Sequence, residues 1–196
     1  MGIMKNYIEI NKPDFIQEMI EFGKIVVADP PKKYIIEPWG WRATVWRPSE
    51  DHWEYYNKAD ALMKKYPWSD YVSKVSVYWM KPDKKQMRVH RDRDRRSAIN
   101  LPVIIPEDSW LGVSDYQLNN EIDKSVRTPD EQGLSAQKVE DLGHKFDMQN
   151  GVIINVSAWH WVKNNSNKQR AIISMDIKDN YSYEDTIKYF KHYNWL

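Results

Sequence analysis

The sequence predicts a mainly β fold, an antiparallel sandwich or barrel with flanking helices, and three observations support this. From Tyr71 onward the chain consists of short β-branched and aromatic runs separated by turn residues, as antiparallel sheets require. Helical periodicity is found before that point and at the C-terminal end. The 196 residues, 41% of them hydrophobic, suit one globular domain with a sizeable core.

Composition excludes several kinds of chemistry. The chain has no cysteine, so disulfides, cysteine-bound zinc, iron–sulfur clusters and a thiol nucleophile are ruled out. The 29 basic and 28 acidic residues leave a net charge of +1, which gives no reason to expect a nucleic-acid partner. A bound metal would have to use His, Asp or Glu side chains.

The start of the chain, MGIMKNYIEI, lacks the apolar core of a signal peptide. No run of about 18 apolar residues, the length that spans a bilayer, occurs in the sequence. We therefore expect a cytoplasmic protein without a membrane segment.

We divide the single domain, residues 1–196, into N-terminal support (1–70), a β core (71–178) and a C-terminal helix (179–196). In the first part, Asp14 is placed to cap a helix that ends at Gly23. The apolar residues of this helix recur at helical spacing and are Phe15, Ile16, Met19 and Ile20. Residues 24–28 then predict a strand.

A second helix is predicted from a cap at Ser49 to about Tyr66, where Pro67 would stop it. The strands of the β core are predicted at Val72–Met80, Gln86–His90, Ser97–Ile105, Gly151–Asn155, Trp159–Lys163 and Arg170–Ile177. The polar segment Asn119–Gly143 is predicted to be a long loop, either a substrate lid or a disordered insertion. The amphipathic segment Tyr183–Tyr193 predicts the final helix.

Two residues in the β core have metal-ligand character. His90 and Asp92 are two positions apart at the end of a predicted strand, so alternation directs both to one face and Arg91 to the other. Two histidines and one carboxylate around open coordination positions suit iron(II) that must also bind substrate oxygens and dioxygen. Because Asp is common, this His-x-Asp triplet alone is weak evidence.

A second motif adds to the first. Trp159–Lys163, an Asn-rich turn and Arg170 predict a hairpin, and a three-residue loop would place His160 opposite Arg170 with β-carbons about 5 Å apart. An arginine beside a metal site suits 2-oxoglutarate, which chelates iron through its keto acid end. Its other carboxylate needs a buried cation, and arginine offers it two parallel hydrogen bonds.

These residues resemble the aspartyl/asparaginyl β-hydroxylase-like branch of the 2-oxoglutarate oxygenases. The resemblance covers about half the chain, from Val75 to Ile177. It is carried by Tyr78-Trp79-Met80-Lys81-Pro82, His90-Arg91-Asp92, the run from Arg96 to Pro106, and Asn155-Val156-Ser157-Ala158-Trp159-His160 continuing to Arg170 and Asp176.

The resemblance implies a double-stranded β-helix, a cupin-like jelly roll, with an iron(II) and 2-oxoglutarate-dependent dioxygenase activity. It implies that His90 and His160 bind the metal, that Arg170 holds 2-oxoglutarate, and that Tyr78 and Asn100 give supporting contacts. Asp92 would complete the ligand set, although this branch often lacks that aspartate. Ala98 stands where the branch has a substrate-binding arginine, so the expected substrate is broader: a peptide or protein side chain, or an amino-acid-like small molecule.

Two other readings remain open at this stage. One is a cupin-type metal protein that does not use 2-oxoglutarate, and the other is a non-catalytic β-sandwich that serves as a binding module. We expect His52, His144 and His192 to be ordinary histidines, and Trp159 and Trp161 to face away from the metal. Trp110 is a candidate for substrate contact.

Overall fold

The fold is described from a computed structural model, which covers residues 5–11, 13–82, 86–92, 95–115 and 128–196. The helices are α1 (Pro13–Ala28), α2 (Tyr56–Met63), α3 (Ala136–Asp141) and α4 (Tyr183–His192). The strands are β1 (Tyr7–Ile10), β2 (Ile35–Glu37), β3 (Gly40–Trp46), β4 (Val72–Met80), β5 (Gln86–His90), β6 (Ser97–Ile104), β7 (Ser109–Ser114), β8 (Gly143–Phe146), β9 (Gly151–Asn155), β10 (His160–Asn164) and β11 (Arg170–Ile177).

The strands form two antiparallel sheets. The larger has seven strands in the order β1-β9-β6-β11-β4-β3-β2, and the smaller has four in the order β5-β10-β7-β8. From β4 onward the chain crosses repeatedly between the sheets, so the eight strands β4 to β11 divide equally between them. This is the double-stranded β-helix of a jelly roll, and the predicted fold class is confirmed.

The large sheet separates two apolar clusters. Alternate residues of β11, including Ala171, Ile173 and Met175, pack with α1 and α4 on its outer face, whereas Ile172 belongs to the cluster between the sheets. Complete burial of a side chain such as Ile173 stabilises the fold by roughly 1.5–3 kcal/mol. The helices thus cover one face of the large sheet, and the small sheet covers the other.

The strand predicted at residues 24–28 is wrong, because α1 continues to Ala28. Met19, Phe22 and Val26 recur at helical spacing and are buried against the large sheet. Gly23 does not end the helix; a β-carbon there would lie 2.5 Å from Val103 Cγ2, so glycine permits close helix–sheet packing. The helix begins at Pro13, which places Asp14 inside its first turn; the side chains of Asp14 and Phe15 lie outside the described part.

The second predicted helix begins later than expected. Ser49 has a positive φ of 64°, and α2 starts only at Tyr56, without a side-chain cap. After Met63 the chain forms turns and then a short 3₁₀ helix at Pro67–Tyr71. The final helix ends at His192, one residue earlier than predicted, and carries a capping box between Ser182 and Asp185.

The predicted strand bounds agree with β4, β5, β9 and β11, and differ by one residue at β6 and β10. The predicted hairpin between the last two strands is wrong. Strand β10 pairs with β5 and β7, and β11 pairs with β4 and β6. The connecting turn, in which Asn164 Nδ2 donates to Lys168 O at 2.8 Å, carries the chain from one sheet to the other.

Several elements were not predicted from the sequence: β1, β2, β3, β7, β8 and α3. In the segment predicted to be a long loop, residues 119–127 lie outside the described residues. The remainder carries a 3₁₀ turn at Asp130–Gln132 and helix α3, whose start is capped by the Ser135 side chain. Within the described ranges, no helix combines the length and apolar character needed to cross a bilayer.

A third cluster lies behind the small sheet. It contains Trp159 and Trp161 with Val89 and Val139, and the guanidinium of the buried Arg91 lies 5.6 Å from the centre of the Trp159 ring. Both tryptophans therefore face away from the space between the sheets, as alternation predicted. They form the support behind strand β10.

A substitution at Gly112 tests whether the packing of Trp161 supports strand β10, because Gly112 is the cross-strand partner of Trp161 between β7 and β10. A β-carbon there would lie 2.0 Å from Trp161 Cε2. We expect Gly112→Ala to lower the free energy of unfolding by about 1–3 kcal/mol, the usual cost of overpacking, in urea denaturation followed by circular dichroism. The same change in a Trp161→Leu background should cost less; an equal cost in both backgrounds would show that the contact is not the cause.

Candidate metal centre

The pairing of β5 with β10 brings two distant histidines together. His90 and His160 are direct partners in the register of these strands, and their ring centroids are 4.3 Å apart. Asp92 lies just beyond β5, where its backbone N–H donates to Val156 O at 2.9 Å. The pairing of β5 with β10, together with the backbone hydrogen bond of Asp92, therefore positions all three predicted ligands.

In the part of the chain that the structure describes, His90, Asp92 and His160 form a group suited to a metal. One ligand atom from each residue lies within 4.8 Å of the others. His90 Nε2 and Asp92 Oδ1 are 3.9 Å apart. This spacing allows one ion to contact all three.

Hydrogen bonds fix how the two imidazoles present their nitrogens. His90 Nδ1 lies 2.8 Å from Arg88 O, and His160 Nδ1 lies 3.0 Å from Ala158 O. A carbonyl oxygen can only accept, so each Nδ1 carries the proton and donates it. Nε2 of each ring is therefore the nitrogen with a free lone pair, as metal-binding histidines require.

The electrostatics favour the metal-binding forms. Burial, helped by the neighbouring His90 ring, lowers the pKa of His160 to about 4, so the imidazole is neutral near pH 7. Burial acts to raise the pKa of Asp92, but the charge of Arg95 and smaller contributions from both histidines outweigh it and bring the pKa to about 2. The site thus presents a neutral imidazole at His160 and a carboxylate at Asp92.

Arg170 faces the same cavity from the large sheet. It is 4% exposed, its NH2 group donates to Met148 Sδ at 3.1 Å, and its buried Nε has no hydrogen-bond partner among the described residues. Burial lowers the pKa of Arg170 to about 10, which still leaves it charged at neutral pH. Burying a cation that has an unpartnered hydrogen-bond donor costs free energy, unless a bound ligand supplies the missing acceptor.

Tyr78 and Asn100, the two supporting residues implied by the resemblance, also line this cavity. Asn100 is 6% exposed, and its Oδ1 has no partner among the described residues. Tyr78 stacks on Trp39, with ring centroids 5.9 Å apart and an angle of 19° between the planes. The structure therefore places all six predicted site residues around one space.

The cavity has a volume of about 920 Å³ and lies between the sheets. Ligand sites usually measure about 300–1,000 Å³, so there is room for more than one small molecule. The small sheet contributes His90 and His160 to the wall, and the large sheet contributes Asn100 and Arg170. The His-Asp-His donor set and the buried guanidinium with its unpartnered Nε, which line the same cavity, fit a metal bound together with an anionic ligand.

The other three histidines, which we expect to be ordinary, lie outside this cavity. The exposed ring of His144 approaches Asp115, with Nε2 2.5 Å from Oδ2; His52 is exposed, and His192 is on α4. Trp110 does not line the described cavity; Lys145 Nζ lies 5.4 Å from the centre of its ring.

Sequence reasoning did not identify the role of Arg95. Its Nε donates to Asp92 Oδ2 at 2.6 Å, and it lines both the main cavity and a neighbouring polar cavity of about 570 Å³. The signal in the sequence was the opposite charge three residues after Asp92.

No protein-family model matches the chain, and no curated protein matches it. Its fold is similar to those of several solved structures. The α-ketoglutarate-dependent non-haem epimerase SnoN from nogalamycin biosynthesis aligns with a TM-score of 0.60 and 10% identity, over 89% of this chain and 78% of that one. The α-ketoglutarate-dependent carbocyclase SnoK from the same biosynthesis gives 0.58 and 10%, over 89% and 80%.

A third similar structure is an oxidoreductase of the 2OG-Fe(II) oxygenase family from Burkholderia pseudomallei, with a TM-score of 0.57 and 7% identity, over 89% of this chain and 86% of that one. At such low identity the likeness concerns the fold, and it does not single out the aspartyl/asparaginyl β-hydroxylase-like branch. The chain has the jelly-roll fold seen in 2-oxoglutarate-dependent iron oxygenases.

Proposed function

We propose that this protein is an iron(II) and 2-oxoglutarate-dependent dioxygenase. The observation that carries the proposal is the arrangement of one cavity. A His-Asp-His group lies on the small-sheet side of it, and a buried arginine with an unpartnered Nε lies on the large-sheet side. The fold likeness supports the same class, and one similar structure, that of SnoN, contains Fe³⁺ and α-ketoglutarate.

In this proposal His90, Asp92 and His160 hold the metal. Two imidazole nitrogens and one carboxylate oxygen, with further positions open, are the donor set of non-haem iron(II) oxygenases. The hydrogen bonds from each Nδ1 to a backbone carbonyl orient the rings and increase their basicity. Asp92 would complete the facial triad, unlike in the branch members that lack this aspartate.

Arg170 anchors the far carboxylate of 2-oxoglutarate. Its guanidinium is buried and charged, and the described structure offers it Met148 Sδ, a weak acceptor. A carboxylate would satisfy Nε and a terminal nitrogen together through charge-assisted hydrogen bonds. A cupin-type protein that does not use 2-oxoglutarate has no need for this residue.

When bound, iron(II) and 2-oxoglutarate would supply the activation of dioxygen, which oxidises 2-oxoglutarate to succinate and carbon dioxide and a substrate C–H bond to an alcohol. The chain's own residues position these groups. His90, Asp92 and His160 would hold the metal, and Arg170 would fix the orientation of the co-substrate. The apolar side chains between the sheets limit the access of water.

The substrate in this proposal is a peptide or protein side chain, or an amino-acid-like small molecule. The cavity wall carries opposite charges, with Arg42 Nε donating to Glu37 Oε1 at 2.9 Å, and Trp39 and Tyr78 give it an aromatic side. Groups of both signs suit a substrate that carries an ammonium and a carboxylate. Ala98 stands where the resembled branch has a substrate-binding arginine, so that position supplies no cation here. We therefore assign the recognition of a substrate carboxylate to Arg42.

The metal ligands are tested by His160→Ala. We expect this variant to lose stoichiometric iron(II) or manganese(II) binding. Succinate release from 2-oxoglutarate in air should fall by at least about 100-fold, because removing even an outer partner of a metal ligand typically costs about 10–100-fold. Metal analysis and succinate quantification measure the two effects. His192→Ala, an exposed histidine on α4, is the matched control; a His160→Ala protein that behaves like this control would contradict the proposal.

The co-substrate anchor is tested by Arg170→Ala. We expect the Kd for 2-oxoglutarate in the manganese-loaded protein to rise at least about 30-fold, because losing one partner of a buried charge pair costs about 2–5 kcal/mol. Manganese affinity should be unchanged. Titration calorimetry measures both constants, and Arg96→Ala, at an exposed arginine, is the control. Unchanged 2-oxoglutarate affinity would favour the cupin-type alternative.

A further inference from the structure

The two oxygens of the Asp92 carboxylate have different surroundings. Oδ2 accepts a hydrogen bond from Arg95 Nε at 2.6 Å. Oδ1 is the oxygen that faces the histidines, 3.9 Å from His90 Nε2. Arg95 therefore occupies one oxygen and leaves the other directed at the metal position.

Arg95 is itself held from the large sheet. Its NH1 group donates to Ser174 Oγ at 3.2 Å and also to Asp176 Oδ1. The second oxygen of Asp176 pairs with Lys74 Nζ at 2.7 Å, and Lys74 is the cross-strand partner of Asp176. The guanidinium thus connects Asp92 to strand β11 of the large sheet, and Asp176 extends the network to Lys74 on β4.

We propose that Arg95 is a positioning residue, which holds Asp92 so that Oδ1 alone binds the metal, and that Asp176 and Lys74 hold Arg95 in turn. This inference rests on the proposed metal site. A carboxylate with both oxygens free can rotate or chelate, and either would change the positions left for the co-substrate and dioxygen. A carboxylate oxygen that accepts a hydrogen bond from a guanidinium cannot help to chelate the metal without losing that hydrogen bond.

An opposite effect of Arg95 has to be weighed. A guanidinium close to the ligands repels a divalent cation, and its removal would then strengthen metal binding. Here the positive charges of Arg95 and Lys74 stand beside the negative charges of Asp92 and Asp176. Removal of Arg95 would change the net charge of this group from zero to −1, which by itself favours cation binding. The proposal requires that the loss of orientation outweighs this gain, and the measured affinity decides between the two effects.

The test compares manganese(II) affinity, by calorimetry without 2-oxoglutarate, in the wild type and in Arg95→Ala, Arg95→Lys and Arg96→Ala. We expect Arg95→Ala to weaken manganese binding about 10–100-fold, as loss of an outer partner does. Arg95→Lys should restore only part of the affinity, because one ammonium cannot reproduce the planar fork that joins Asp92 to Asp176. The exposed Arg96→Ala control should match the wild type.

A second readout separates positioning from general destabilisation. In cobalt(II)-substituted protein, the visible absorption bands report coordination number, and we expect them to change in Arg95→Ala while circular dichroism stays the same. Asp176→Asn, which keeps the size of the side chain and the Arg95–Asp92 pair, should shift the manganese affinity in the same direction by a smaller factor. This variant keeps the test decisive if Arg95→Ala does not fold.

The outcomes are distinguishable. Wild-type affinity or tighter manganese binding in Arg95→Ala, with unchanged cobalt bands, would overturn the positioning role and leave the proposed function standing. Full recovery in Arg95→Lys would also overturn it, because charge alone would then suffice. A wild-type protein that binds no manganese would overturn both the proposed function and this inference.

Discussion

Both the core and the candidate site depend on strand β11, which carries apolar side chains on one face and mostly polar ones on the other. This strand lies in the middle of the large sheet, paired on both sides, and all eight of its residues are buried. One face, with Ile173 and Met175, joins the helices in the main apolar core. The other carries Arg170, Ser174 and Asp176, and strand alternation directs these polar groups into the cavity or to the network around Asp92.

Burying this polar face is unfavourable unless each group finds a partner. Asp176 has Lys74 and Arg95, and Ser174 has Arg95. Arg170 is the exception, with an unpartnered Nε. The unmet hydrogen bond therefore lies in the cavity that the candidate metal ligands also line, where a bound ligand could supply an acceptor. Strand β11 therefore contributes both to the apolar core and to the charges that surround the candidate site.

Local sequence patterns predicted six strands, β4, β5, β6, β9, β10 and β11, and the candidate site residues that line one cavity, but they did not predict the sheet pairing. The bounds of β4, β9 and β11 were predictable because alternation and turn residues mark them. In α1, Gly23 was misread as a helix end because its close contact with Val103 is long-range. The pairing of β10 with β5, and of Arg95 with Asp176, depends on contacts between distant segments, which no local periodicity encodes.

One explanation covers both the wrong hairpin and the finding that His160 and Arg170 line the same cavity. Both residues begin a strand that faces the cavity, so both point inward whichever strands they pair with. The pairing nevertheless matters for chemistry: cross-strand neighbours have β-carbons about 5 Å apart, whereas facing sheets are about 10 Å apart. A dicarboxylate that chelates a metal at one end and meets a guanidinium at the other needs the larger separation. Placing the two residues in opposite sheets supplies the space that the predicted hairpin would have closed.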